Sequence, residues 1–438
     1  MSRRASPPPA DAVRKAPAPA ADPTASEWRI ERMVPGGDGM ARLADGRVGF
    51  ASGAFPGDRI AVTRETRHAS WVRADEWLMV EPSADRVDPA CPVADACGGC
   101  EWMRLARPAQ LLAKSSLVRQ ALGRTGGLRE LPLEMSVTSP GPDLGYRNRL
   151  RLHVERDGRV GLYARGSHTL VEIPGCAVSD PAIGRALVRV RELAGSTLGR
   201  WSELEIRTAP LGAPVSLWLL PRDERPPSAV ERAMLEALSR EHAVVEAGGV
   251  CDQRWPLPGG VEIGVPPGGF VQVNWAVNVA LVEALLAGVS ARGISTFVEL
   301  YAGAGNFTLP LLKQGLSGVA IERSGPSIKA ARRAARAQGL ADDTFIAGDA
   351  PKELPRRARQ QPDLVLLDPP RAGARDALGA LLAVRPRFIA FCACDPVTLA
   401  RDVKRLAGDY ALDSVEVFDM FPHTHHVETL LWLRQRGG

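Results

Sequence analysis

Long apolar runs are missing from this chain: no uninterrupted stretch approaches the roughly 18 residues that a membrane-spanning helix needs. That excludes a helical membrane protein. Aromatic residues are scarce at 5%, and 45% hydrophobic against 24% charged residues is ordinary globular composition, which excludes collagenous and fibrous classes. Neither sign of charge dominates. Lys and Arg number 55 and Asp and Glu 50, so the formal charge of +5 permits a polyanionic partner and leaves the decision to local placement. Residues 1–26, with Pro7-Pro8-Pro9 and repeated Ala-Pro, lack the apolar core of a secretory signal and read as a disordered tail. Cysteines are few and odd in number: Cys91, Cys97, Cys100, Cys176, Cys251, Cys392 and Cys394. Without an export signal, this disfavours a disulfide framework, favours metal or catalytic use, and points to the cytoplasm.

What is present falls into pieces. After the tail, residues 27–85 alternate short apolar stretches (Val48-Gly49-Phe50-Ala51, Arg59-Ile60-Ala61-Val62) with glycine and proline turns, the pattern of a small β-barrel. Residues 86–265 form a central α/β domain. It opens with a cysteine-rich loop and a helix from Pro108 to Leu122 with Leu111, Leu112, Ser115 and Leu117 near one face. Further on, a strand from Tyr146 to Val154 sends Arg147, Arg149, Arg151 and His153 to one face and Leu150, Leu152 and Val154 to the other. A solvated edge strand is one reading of such a face; stacked arginines are also the spacing of phosphate contacts. Residues 266–438 alternate strand and helix signals, which predicts a parallel, doubly wound α/β sheet with ligands at the carboxyl ends of its strands.

Three motifs in this last piece carry chemistry. The loop Tyr301-Ala302-Gly303-Ala304-Gly305-Asn306-Phe307 follows a strand and opens a helix, and Glu322 ends the next strand, where an acid can accept from both ribose hydroxyls. Thr308 stands where a dinucleotide fingerprint continues with glycine or alanine, which weakens NAD and favours S-adenosylmethionine. Cys394 lies in a loop after a strand, with Asp395 as N-cap and Pro396 as first helical residue. The positive end of that helix would favour a thiolate, while Asp395 pulls the other way. Asp368-Pro369-Pro370-Arg371 delivers a carboxylate at a strand end, and Glu428 follows Phe421-Pro422-His423-Thr424-His425-His426-Val427. The three histidines lack a metal-binding helical spacing. A thiol with a nearby base and a methyl donor suits methylation of uracil C5, in which a thiolate first adds to C6 and a base then removes the C5 proton.

With these residues in hand, the chain from about Glu27 to Trp432 resembles the RNA uracil-C5 methyltransferases, specifically the iron–sulfur 23S rRNA (uracil-5-)-methyltransferases. The resemblance implies a Rossmann-like class I S-adenosylmethionine-dependent methyltransferase domain, preceded by an OB-like TRAM barrel and a central domain. Four cysteines suit zinc or a cluster on chemistry alone; the resemblance assigns Cys91, Cys97, Cys100 and Cys176 to a [4Fe-4S] cluster. Carried over residue by residue, Gln272, Tyr301, Gly303, Gly305, Glu322, Asp349 and Asp368 become contacts to S-adenosyl-L-methionine. Cys394 becomes the nucleophile and Glu428 the base, with Asp368 also counted among the catalytic groups. Phe270 would stack near a flipped base, alongside Arg147, Arg149 and Arg151 on the RNA. Departures from the family pattern are Glu299 for its usual Asp, Asp395 for Asn and His423 for Gln.

The implied partner is 23S ribosomal RNA, with the T-loop uridine of tRNA as the alternative. No membrane and no protein partner is implied. Two other readings compete: cytosine-C5 methylation by the same attack, and an RNA-binding iron–sulfur protein without turnover.

Overall fold

A computed structural model describes residues 26–128, 131, 135–210, 214–246, 253–266, 268–357 and 361–437. The tail expected over residues 1–26 lies outside them except for Ser26, as does Cys251. Contacts divide the chain into two units, a smaller one up to Arg32 with Asp38–Ala84, and a larger one of Met33–Gly37 with Asp85 onward.

In the smaller unit, Arg59–Arg67 pairs antiparallel with Ser26–Arg29 on one side and Trp71–Glu81 on the other. Trp71–Glu81 continues in parallel to Val48–Ala51, which pairs with Gly39–Arg42. Trp28, Ile30, Ile60, Val62 and Val72 fill its core. The pivot is Gly49. A Cβ there would lie 2.6 Å from the Trp28 ring, so only glycine lets the indole lie flat on this strand.

The larger unit holds two main sheets. One runs in the order Leu170–Glu172, Val160–Tyr163, Arg149–Val154, Trp201–Arg207, Ser216–Pro221, Ala243–Glu246. Helices Pro181–Ala194 and Ala229–Ser239 cover one face through Leu187, Val190, Met234 and Leu238. Arg149–Val154 is therefore an interior strand, which removes the edge-strand reading, and it begins at Arg149 rather than Tyr146.

The second sheet runs Phe345–Ala347, Ser317–Glu322, Thr296–Leu300, Leu364–Leu367, Phe388–Ala393, Glu428–Gln435, Tyr410–Phe418, Val137–Thr138. Its first five strands are parallel, and Glu428–Gln435 runs antiparallel to both neighbours. This is the doubly wound sheet the sequence predicts. Alternate residues serve opposite faces: Leu364 and Leu366 pack with helices Trp275–Ala291 and Gly325–Ala337, Val365 and Leu367 with Leu378–Val384 and Pro396–Leu406. Burial on both sides explains why the strand sequence is continuously apolar. The helix Ala350–Arg357 carries an internal Pro355, and the sequence pattern did not announce it.

The cysteine-rich segment leads into the helix Arg107–Gln120, which packs on this second sheet through Val118. Its buried face differs from the expected leucine stripe. Gln110 and Lys114 are buried and Leu112 is exposed, because the partner of Lys114 is the buried carboxylate of Asp419 at the end of Tyr410–Phe418. Arg107 reaches the same carboxylate at 2.5 Å. A buried acid paired by two cations meets the condition under which a charge is tolerated inside a protein.

Candidate active site

The strand order reverses at Thr296–Leu300, which has Ser317–Glu322 on one side and Leu364–Leu367 on the other. Ligands of open α/β sheets bind in the crevice outside the carboxyl ends at such a point. The loop leaving the strand is tightly wound: Tyr301, Gly303 and Gly305 have φ of 65°, 56° and 92°. Gly303 has open space where a Cβ would stand, so its backbone can meet a ligand directly, whereas a Cβ at Gly305 would sit 3.1 Å from the Phe345 ring. Glu322 takes the N–H of Gly303 at 3.0 Å on one oxygen and that of Ser324 at 2.7 Å on the other. Each oxygen keeps a lone pair for a hydroxyl. Asp349, just past Phe345–Ala347, pairs with Arg323. Gln272 is buried, and its backbone carbonyl accepts from the Asn148 side chain at 2.8 Å. Glu299 lies beneath the loop, where burial pushes its carboxyl up to about 8 although the Thr308 hydroxyl donates to it.

A second constellation stands beside the first. The neighbouring strands pair Cys392 with Leu430 and Ala393 with Thr429, so one step further along the register Glu428 falls opposite Cys394. Asp368 ends the adjoining strand on the other side. Burial drives the Glu428 carboxyl well above its ordinary range, and the neighbouring Asp368 charge adds to this. Asp368 is pushed up to about 7 by burial and by Glu322. Asp368 is half-buried as a residue while its carboxyl lies deep, and the depth sets the direction. A carboxyl raised in this way is a stronger base in its ionised form, and opposite a thiol that form is placed to remove a proton from carbon.

At Cys394 the helix terminus, which favours a thiolate, meets several opposing influences. Burial pushes the thiol up to about 12, Glu428 and Asp368 push the same way, and Arg371 pulls it down. Asp395 does cap the helix, accepting from Val397 at 2.9 Å and Thr398 at 2.8 Å, yet its charge still bears on the thiol.

The loop between Phe418 and Glu428 is gripped from the cysteine-rich side. The N–H of His423 donates to Gln110 at 2.9 Å and its carbonyl accepts from Trp102 at 3.0 Å. Tyr146 donates to the Pro422 carbonyl at 3.2 Å, and Lys114 to that of Phe421 at 2.8 Å. His425 donates its backbone N–H to Glu101 at 2.8 Å, and its ring pairs with the same carboxylate. His426 meets Arg371 at 3.2 Å. The histidines thus serve three separate partners.

Cys91, Cys97, Cys100 and Cys176 line one cavity of about 620 Å³. Burial raises the thiols of Cys97 and Cys100, the latter to about 12, with the charge of Cys176 adding in both and Arg147 opposing. Among the described residues no three His, Cys, Asp or Glu side chains close on a single-ion position. The same cavity is lined by Arg147, Arg149, Arg151 and Phe270. Phe270 is 63% exposed, with the Arg149 guanidinium 5.8 Å from its ring. Arg149 and Arg151 are also drawn to Glu205 on the next strand, at 3.7 and 3.3 Å.

The profile of the tRNA (Uracil-5-)-methyltransferases matches residues 357–436, the stretch holding Asp368, Cys394 and Glu428. A 23S rRNA (uracil(1939)-C(5))-methyltransferase RlmD of Thiobacillus denitrificans is 32% identical, covering 90% of this chain and 96% of its own. An RNA methyltransferase of Gloeobacter violaceus, itself without an assigned role, is 33% identical over 93% of this chain and 95% of its own. The chain belongs to the RNA uracil-C5 methyltransferase family. As a member, it is an S-adenosylmethionine-dependent RNA methyltransferase. The fold of this methyltransferase agrees with that of a Pyrococcus abyssi tRNA (uracil-54, C5)-methyltransferase solved with S-adenosyl-L-homocysteine. The TM-score is 0.71 at 23% identity, over 93% of this chain and 99% of that one.

Sequence reasoning missed several groups of the methyltransferase. Glu101 and Gln110 hold a loop more than three hundred residues away, a distance over which no local pattern signals a contact. Trp218, 5.5 Å from the Arg151 guanidinium, and Tyr163, stacked on His153 at 3.7 Å, stand among the arginines. Their place follows from strand pairing, since Trp218 pairs with Glu205, which pairs with Arg151.

Proposed function

We propose that the protein methylates C5 of a uridine in 23S ribosomal RNA, of the uracil-1939 type named for its RlmD relatives, as a cytoplasmic enzyme. The observation that carries this reading is the register setting Glu428 opposite Cys394 with Asp368 at the adjoining strand end. When bound, S-adenosylmethionine supplies an electrophilic methyl group; Tyr301, Gly303, Gly305, Glu322, Asp349 and Gln272 are the residues that would hold it.

The chain's own groups do the rest. Cys394 Sγ adds to C6 of the uracil and its proton passes to O4, which leaves C5 electron-rich. After C5 gains the methyl group, O4 gives up that proton to Asp368. Glu428 then removes the proton left on C5, the C5–C6 double bond re-forms and the thiolate departs. Both groups accept these protons as carboxylates, and the burial that raises them makes that ionised form the stronger base.

The four thiols sharing a cavity, with Gly98-Gly99 between two of them, fit a [4Fe-4S] cluster by donor chemistry. Cluster ligation would tie the 91–100 loop to Cys176, an architectural task, since methyl transfer needs no electron. The domains follow as a tail (1–26), a TRAM-type barrel (27–85), a central domain (86–265) and a catalytic domain (266–438), with Phe270, Arg147, Arg149 and Arg151 on the RNA.

Anaerobically purified protein incubated with labelled S-adenosylmethionine and unmodified 23S rRNA, 16S rRNA or tRNA tests the assignment. The expected result is 5-methyluridine in 23S rRNA, lost in Cys394→Ala with donor binding retained. Label in tRNA moves the substrate to the T-loop, labelled cytosine overturns the base assignment, and no label in any pool overturns the enzyme. Iron with matching sulfide is expected in the same preparation; zinc in its place overturns the cluster.

A further inference from the structure

The thiol and the base of the site are anchored by different means. Cys394 stands between the interior strand Phe388–Ala393 and a helix that Asp395 caps, so its backbone is fixed from both ends within the sheet domain. Glu428 is the first residue of its strand and comes directly out of the loop that begins at Asp419. That loop contains a strained residue: His423 is buried with φ of 66°, a left-handed conformation that costs a non-glycine residue free energy and persists only where the surroundings impose it.

The surroundings here are Trp102, Gln110 and Glu101. Gln110 accepts from the His423 N–H and donates to the carbonyls of Trp102 and Leu105 at 3.1 and 2.6 Å, which locks it in place. Glu101 takes the backbone N–H of His425, three residues before Glu428, and pairs with its ring. The two oxygen acceptors therefore hold alternate residues of the strained segment, and both come from the stretch that follows Cys100. Strand pairing alone begins only at Glu428 itself, which pairs with Phe418.

We propose that Glu101 is a positioning residue for Glu428, acting by fixing the His425 end of the loop so that the base reaches the C5 proton. The inference rests on Glu428 being that base. Its consequence is specific to one half of the reaction. Loss of Glu101 displaces the base and leaves the independently anchored Cys394 able to attack, so the enzyme methylates once and then stalls with RNA bound through sulfur.

The test is a single-turnover reaction of the full-length protein with unmodified RNA and S-adenosylmethionine, scored for methyl transferred and for protein–RNA adduct surviving a denaturing gel. Glu428→Gln serves as reference for a missing base. Glu101→Ala is expected to cut turnover roughly tenfold or more, the scale on which a small misplacement of a catalytic group is felt. It is also expected to raise the adduct fraction several-fold over wild type. Glu101→Gln keeps an acceptor for the His425 N–H and should return both readings toward wild type. Adduct and turnover falling together in Glu101→Ala would mark a merely structural role and overturn the proposal, as would no change in either. If Glu428→Gln itself accumulates no adduct, the base assignment fails and the proposal with it; adduct in Glu428→Gln but not in Glu101→Ala defeats the proposal alone. Should Glu101→Ala not fold, His425→Ala removes the ring half of the same contact from the loop side and leaves the backbone N–H in place, and the same two readings decide.

Discussion

Two residues with left-handed backbone, Tyr301 and His423, flank the two halves of the site, one in the donor loop and one ahead of the base. Strain of this kind is held in place by packing elsewhere, and the site accordingly rests on buried acids that the rest of the fold tolerates at a cost. Glu299 is the clearest case. Burial raises its carboxyl from 4.5 to about 8, so the folded protein holds a proton there that the unfolded chain releases. The contribution is fully present below about pH 4.5 and lost as the pH rises to about 8. Glu299→Gln keeps an oxygen acceptor for the Thr308 hydroxyl and removes the titration. Thermal unfolding of both proteins at about pH 5 and about pH 8.5 should show the variant gaining on wild type at the higher pH. The expected gain is at least about 1.4 kcal/mol, the worth of one pKa unit. Equal losses in the two proteins would mean that Glu299 is ionised throughout.

At the scale of elements, the turn from Phe388–Ala393 into Pro396–Leu406 sets a cap against a thiol. Asp395 satisfies two N–H groups at the helix start, and its charge raises the thiol beside it. Asn caps as well as Asp without the charge. Asp395→Asn should therefore leave thermal stability nearly unchanged and speed alkylation of Cys394 by iodoacetamide several-fold, read by mass spectrometry of the Cys394 peptide. Asp395→Ala loses the cap as well and should cost about 1 kcal/mol. An unchanged alkylation rate in Asp395→Asn would show that burial alone governs the thiol. The turn itself was legible in the sequence because an Asp-Pro step after an apolar strand has a local cause. Leu364–Leu367 was legible for a similar reason, since a strand buried on both faces cannot afford a polar residue. The direction of the Cys394 shift was not legible. It depends on Glu428 and Asp368, brought in by strand pairing, and on a depth of burial that no local pattern encodes. The buried face of Arg107–Gln120 was misread for the same reason: Lys114 looks like a surface residue until Asp419 arrives from the far end of the chain.

Across the larger unit, the outward face of the central sheet and the cysteine cavity meet at Arg147, Arg149, Arg151 and Phe270. The proposed RNA contacts there are of two physical kinds, and salt separates them. A phosphate contact releases counterions, so removing it lowers the slope of log affinity against log salt by about one. A base stacked on an aromatic ring contributes about 1–3 kcal/mol and leaves that slope alone. Arg151 stands between the two, exposed and close to Trp218, yet drawn to Glu203 at 3.6 Å and Glu205 at 3.3 Å. Glu205 is buried, but the Arg151 guanidinium itself is exposed, so a phosphate can reach it and compete with Glu203. Arg151→Gln should therefore weaken RNA binding at low salt and flatten the salt dependence. Trp218→Ala should weaken binding about tenfold at every salt concentration with the slope unchanged. Fluorescence anisotropy with a labelled RNA fragment at several salt concentrations reads both. If Arg151→Gln leaves the slope where it was, the guanidinium is spent on its two glutamates and the phosphate runs elsewhere. If Trp218→Ala binds as wild type, the indole only supports the arginine, and the face is electrostatic rather than a stacking platform.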